Sequence, residues 1–191
     1  MANPAPGQLK LVQDFVNSAD LMDGTDDIAE PGALAEWLRL RGLIDPATEL
    51  AGSDVEHALA IREALRRLLL ANNGAVVYPV DLATLNRAAA ESALRPRFLP
   101  DRSVRLEPEA AGVAGALGRI LGIATTAMAD GSWAQLKACA DHDCAWAFWD
   151  QSKNHSGHWC RMGACGNRAK ARRYRERRRS GGELGESALD G

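Results

Sequence analysis

The chain has 191 residues, 46% hydrophobic and 25% charged, the balance of a globular protein with room for one domain and a small module. The run 112–128 is apolar but carries Arg119 and is too short to cross a bilayer comfortably, and the opening M-A-N-P-A-P-G lacks the basic and apolar regions of a signal peptide, so a cytoplasmic chain with no membrane partner is expected. The net charge of −2 hides an asymmetry: residues 1–130 carry 12 basic against 18 acidic side chains, while residues 131–179 carry 11 against 4. A basic segment of that kind is drawn to phosphates.

In chain order, L-K-L-V-Q-D-F-V-N-S (9–18) alternates at Leu9 and Leu11 before clustering at Phe15 and Val16, and reads as a short strand leading into a helix or turn. Asp20 to Glu30 is polar and reads as a loop. Pro31 suits a helix start, with Leu34, Trp37, Leu38 and Leu40 as its stripe and Gly42 as its stop. Ser53 and Glu56 have capping-box spacing ahead of a helix striped by Val55, Ala58, Ile61, Leu65, Leu68 and Leu69 that ends near Asn72-Asn73-Gly74. Asp81 is placed to cap a further helix with Leu82, Leu85, Ala88 and Ala89 on one side. Residues 95–108 read as a hairpin turning at Pro100-Asp101. A long helix follows, burying Val113, Leu117, Ile120, Leu121, Ala124 and Met128, with Gly112, Gly115, Gly118 and Gly122 permitting close packing. Asp130-Gly131-Ser132 ends it and marks a domain boundary.

All four cysteines fall between 139 and 165, in the pattern Cys139-x4-Cys144, fifteen residues, Cys160-x4-Cys165. Four thiolates close a tetrahedral shell around Zn²⁺ and leave no position for a reacting water, so the metal is structural. The alternative is a set of unrelated buried or redox thiols; two matched pairs with no other cysteine in the chain favour the metal. His142, His155 and His158 lie near, but the shell is already full. Between the pairs, A-W-A-F-W reads as a strand of a β-hairpin with Trp146 and Phe148 on one face and Q-S-K-N-H-S-G-H as turn residues. A helix begins after Cys165. Knuckle, hairpin and helix make a treble-clef-like layout.

The string Cys165-Gly166-Asn167-Arg168 followed by A-K-A-R-R resembles the CGNR zinc finger, and the preceding L-K-A-C-A-D-H-D-C-A-W-A-F-W-D-Q-S-K-N-H-S-G-H-W-C-R-M is similar to that family along its length. The resemblance implies zinc on Cys139, Cys144, Cys160 and Cys165, a treble-clef fold and a nucleic-acid-binding role. D-F-V-N-S at Asp14–Ser18 and the later I-R-E-A-L-R-R-L-L resemble the ABATE domain that usually accompanies this finger, in proteins described as stress-induced transcription regulators of bacterial type. Ser18 stands where many relatives carry Thr.

From 168 to 179 run Arg168, Lys170, Arg172, Arg173, Arg175, Arg177, Arg178 and Arg179 against one acid, Glu176. On a helix Arg168, Arg172, Arg175 and Arg179 share a face, Lys170, Arg173 and Arg177 form an adjacent stripe, and Ala171 and Tyr174 rest on the hairpin. The bias to arginine favours phosphate recognition over a merely solvated helix. Charge fits DNA and RNA alike and does not separate them; Trp146, Phe148 and Trp159 read as core of the module rather than as an RNA-stacking platform, and DNA is the preferred of the two expected partners. A protein-interaction adaptor docking an acidic partner is the rival reading. Upstream, no catalytic constellation emerges and the chain reads as a non-enzyme. Asp14, Asn17, Arg62 and Arg66 are candidate contacts for a small-molecule ligand, with capping and ion pairing as their plainer roles.

The expectation is thus an α+β chain. A mainly helical domain with a small hairpin (1–131), for ligand sensing or homodimerisation, precedes a zinc finger with a basic helix (132–179). A disordered tail (180–191) follows.

Overall fold

Leu9, Val12, Phe15 and Val16 recur at spacings of three and four, and in the computed structural model, which describes residues 2–186, they bury one side of helix α1 (Leu9–Val16). The expected strand is therefore corrected. The Leu9–Leu11 alternation is outweighed by the helical period, which buries four apolar side chains together, whereas a strand would split them between two faces. The expected loop after it contains a two-residue ribbon, β1 (Ala19–Asp20) paired antiparallel with β2 (Thr25–Asp26). The Asp20 carboxylate turns it by accepting the N–H groups of Met22 and Asp23 at 2.9 and 3.1 Å.

Helix α2 (Pro31–Arg39) starts on its proline, and α3 (Gly52–Ala71) supplies the longest buried stripe, from Val55 to Leu69. Both end in a Schellman motif: Leu43 N–H reaches Leu38 O at 3.0 Å with Gly42 at φ +63°, and Ala75 N–H reaches Leu70 O at 3.1 Å with Gly74 at φ +93°. The start of α3 differs from the Ser53–Glu56 box. The helix begins at Gly52, and the Asp54 carboxylate accepts the Ala51 N–H at 2.8 Å. Helix α4 (Pro79–Glu91) likewise starts on proline; Asp81 is buried in its first turn and paired with Arg67 at 2.6 Å, while Leu82 is exposed.

Strands β3 (Leu94–Phe98) and β4 (Val104–Pro108) form the expected hairpin, in register Leu94↔Pro108 to Phe98↔Val104. Helix α5 (Gly112–Asp130) lies along β4 and also packs on α1 and α4. Three of its four glycines are contact points, Gly112 standing in open space: a Cβ would come within 2.2 Å of Ala110 O at Gly115, 2.4 Å of the Ser92 side chain at Gly118 and 2.5 Å of Leu106 O at Gly122. Val113, Leu117, Ile120, Leu121 and Ala124 are buried as expected, but Ala127 takes the last position and Met128 is exposed. By length and composition α5 is apolar enough to cross a membrane, yet more than half of it is buried against other elements.

A 3-10 turn (Ser132–Gln135) leads into β5 (Leu136–Ala138), which pairs antiparallel with β6 (Ala147–Trp149). The A-W-A-F-W strand thus takes its partner from upstream, across the first cysteine pair. Residues 151–158, expected as the turn, are an irregular loop held by Lys137, whose ammonium pairs with the buried Asp150 carboxylate at 2.8 Å and donates to the His155 and Gly157 carbonyls. Leu136, Ala138 and Ala147 belong to the same apolar core as α1, α3 and α5. The last helix, α6 (Asn167–Glu186), runs on into the segment expected as a tail, of which 187–191 lie outside the described residues.

Candidate metal centre and the helix it anchors

Two backbone loops carry the cysteines. In the first, Cys139 N–H bonds Trp146 O, and the N–H groups of Cys144 and Ala145 converge on Asp141 O, each at 2.9 Å. In the second, Cys160 enters a π-type turn (Met162–Gly166) that opens directly into α6. The loops are tied together by Ala140 N–H on His158 O at 2.9 Å. All four sulfurs lie within 4.8 Å of one another, with Cys144–Cys160 and Cys160–Cys165 both 3.6 Å apart. A tetrahedral shell with Zn–S bonds of ~2.3 Å has sulfurs ~3.8 Å apart, so the donor set fits Zn²⁺, while a disulfide is far too short for these distances. Cys139, Cys144 and Cys165 are buried, with Trp146 and Trp159 packed around them.

The electrostatics argue the same way. Hydrogen bonds from the Cys144 and Cys160 thiols lower Cys139 well below the usual thiol range and favour its charged form. That charge, with burial, pushes Cys144 up to about 12 and Cys160 well above the usual thiol range. A cluster in which one thiolate suppresses ionisation of its neighbours is stable with all four ionised only when a cation neutralises it. The site holds one structural Zn²⁺. None of the three nearby histidines enters it: His142 is exposed, His155 contacts Asp150 O, and His158 Nδ1 lies 2.6 Å from Asn73 Oδ1.

Each residue of the C-G-N-R string has a visible task. Cys165 is a ligand. A Cβ on Gly166 would stand 2.4 Å from Met162 Sδ and 3.2 Å from the Trp159 ring, so the glycine lets both side chains close over the turn. Asn167 donates to Gly163 O at 3.0 Å and ties the turn to the helix start. Arg168 donates from Nε to Asp141 Oδ2 at 2.9 Å and from Nη2 to Cys165 Sγ at 3.1 Å. Arg172 Nη1 lies 3.6 Å from the other oxygen of Asp141, an ion contact rather than a hydrogen bond. The side of α6 that holds Arg168 and Arg172 is therefore turned toward a buried carboxylate. Lys170, Arg173, Arg175 and Arg177 are exposed, and the side chains of Arg178 and Arg179 lie outside the described residues. Ala169 is the alanine that packs inward; Ala171 and Tyr174, expected on the hairpin, are exposed.

The four residues considered for a small ligand are not brought together. Asp14 and Asn17 line a cavity of about 670 Å³ whose wall continues through Trp37 and Arg41 to Trp146 and the cysteines. Arg62 and Arg66 are buried away from it. Arg62 makes a two-pronged pair with Asp26 at 2.7 and 2.8 Å and reaches Ser18 Oγ. Arg66 pairs with Glu63 and donates to Val16 O at 2.6 Å and Ala145 O at 3.1 Å. Asn17 is itself committed, accepting Ala147 N–H at 2.7 Å and donating to Ala147 O at 2.9 Å.

Residues that sequence reasoning took for punctuation prove to be part of the site's support. Asn72 donates to Trp133 O and Leu136 O, and Asn73 to Ala138 O and His158 O, all at 2.8–3.0 Å. Their only signal in the sequence was an N-N-G helix end, which holds no trace of the strand they clamp.

The family model described as "Putative stress-induced transcription regulator", the ABATE domain, matches residues 9–146. The CGNR zinc finger matches residues 135–178. Comparison with curated proteins finds no match. The two ranges overlap at β5, the first cysteine pair and the approach to β6, the strands that share the helical core. The chain belongs to the ABATE family, as a regulatory, zinc-binding member that carries a CGNR finger.

Proposed function

We propose that the chain is a cytoplasmic, stress-responsive transcription regulator that binds DNA through the exposed side of α6. What carries this reading is the stripe Lys170, Arg173 and Arg177, exposed on a helix that opens directly from the cysteine-bearing turn. Guanidinium groups on a fixed helix meet successive phosphates without first ordering the chain. In this reading residues 132–179 form a treble-clef-like DNA-binding module, and residues 1–131 form a non-enzymatic sensor. The cavity beside Asp14, Asn17 and Trp37 receives a small molecule, and its occupancy is felt at the zinc loops because they form one of its walls.

Duplex binding followed across a salt series tests the assignment. Each phosphate contact contributes a slope of roughly −0.9 in log K against log salt, so Lys170→Ala and Arg173→Ala should each weaken binding and flatten the slope by about that amount. Absence of binding to duplex or single strands at low salt would overturn it and transfer the helix to an acidic protein partner.

A further inference from the structure

Four thiolates around Zn²⁺ leave a net charge of −2, and the surroundings decide how firmly that charge is held. Among the described residues the only cationic group hydrogen-bonded to one of these sulfurs is Arg168, whose Nη2 lies 3.1 Å from Cys165 Sγ. Its other edges are also occupied. Nε is fixed by Asp141 at 2.9 Å, and Nη1 points at Met22 Sδ, 3.6 Å away on the β1–β2 ribbon. Asp141 has no solvent exposure, and its own carbonyl shapes the first cysteine loop by receiving the Cys144 and Ala145 N–H groups. A single guanidinium therefore joins the carboxylate of the first cysteine loop to a thiolate of the second.

We infer that Arg168 serves the zinc centre rather than the nucleic acid: it is the positioning residue that donates a charge-assisted hydrogen bond to the Cys165 thiolate, aimed by Asp141. The guanidinium is suited to this because its planar fork addresses two acceptors at once, which an ammonium does less well. The bond draws charge from the sulfur, making it a poorer target for protons and electrophiles and slowing metal loss. Arg172, one turn on and 3.6 Å from the same carboxylate, supports Asp141. The phosphate-facing stripe then begins at Lys170.

The test compares Arg168→Met, which keeps the stem and loses every donor, with Arg168→Lys and Arg173→Met. Zinc release into a competing chelator, measured with no nucleic acid present, should be about 10- to 100-fold faster in Arg168→Met and intermediate in Arg168→Lys. It should be unchanged in Arg173→Met. In cobalt-substituted protein the sulfur-to-metal charge-transfer band should move to lower energy in Arg168→Met, because loss of the N–H donor raises the sulfur lone pairs. Should the methionine variant fail to fold, the lysine variant and its band position decide alone. Wild-type zinc release together with an unshifted band in the Arg168 variants would overturn the inference. So would a salt slope for duplex binding by the zinc-loaded protein that falls in Arg168→Met as it does in Arg173→Met. The zinc and cobalt measurements stand whether or not the chain binds DNA.

Discussion

Asp150 and Lys137 show how a single pair holds a loop that has no secondary structure of its own. Both side chains are almost fully buried. Burial alone would raise the Asp150 value, but hydrogen bonds from Lys137, Ser152 and Gly157 outweigh it and hold the carboxyl well below the usual range. Asp26, against Arg62, is shifted the same way for the same reason. Because the folded values lie below the unfolded one, both groups stabilise the fold above about pH 3.9, and that contribution is lost as the pH falls below it. Urea midpoints at pH 7 and pH 3 should therefore differ, with Asp150→Asn removing part of the difference. At neutral pH the same substitution strands the Lys137 ammonium and should cost about 3–5 kcal/mol. Cys160→Ser acts at this scale too: elemental analysis should find one zinc equivalent lost, since serine is a poor zinc ligand.

At the scale of elements, the long helices were legible in the sequence, while the first turns of α3 and α4 and the type of α1 were not. The periods of α2, α3 and α5 and their glycine stops were legible because apolar spacing and positive-φ turns are local properties. The caps were not. Ser53 and Asp81 looked like caps, but Asp54 serves α3 and Asp81 is drawn off by Arg67 from another helix. In α1 two periods competed over eight residues, and only the partners packed against it decided between them. The glycines of α5 give a direct test. Gly122→Ala, with its new Cβ 2.5 Å from a backbone carbonyl, should destabilise by about 1–3 kcal/mol in chemical unfolding. Gly32→Ala, in open space on α2, should not.

Across the whole molecule, the finger is not hung on a linker. Its sheet is wedged into the helical core, with Asn17 and Gln13 on Ala147, Arg66 on Ala145, and Asn72 and Asn73 on β5. Metal removal should therefore lower the stability of the whole chain, not of the finger alone. Calorimetry with and without chelator should show the main transition moving down, with no small early transition leaving the helical part at its original midpoint.

The metal donors and the basic run were present in the sequence because they depend on residue type and spacing, and zinc asks for little more than four thiolates within reach of a tetrahedron. So were the apolar stripes of the long helices. What only the tertiary structure decided is how the charged and amide side chains are used. Arg62 and Arg66 became buried links, Arg168 turned to a thiolate and Asn73 clamped a strand, because a hydrogen-bonding side chain is claimed by whichever buried acceptor the fold brings nearest. That acceptor often lies many residues away, as with Arg66 and Ala145, and no local pattern encodes it.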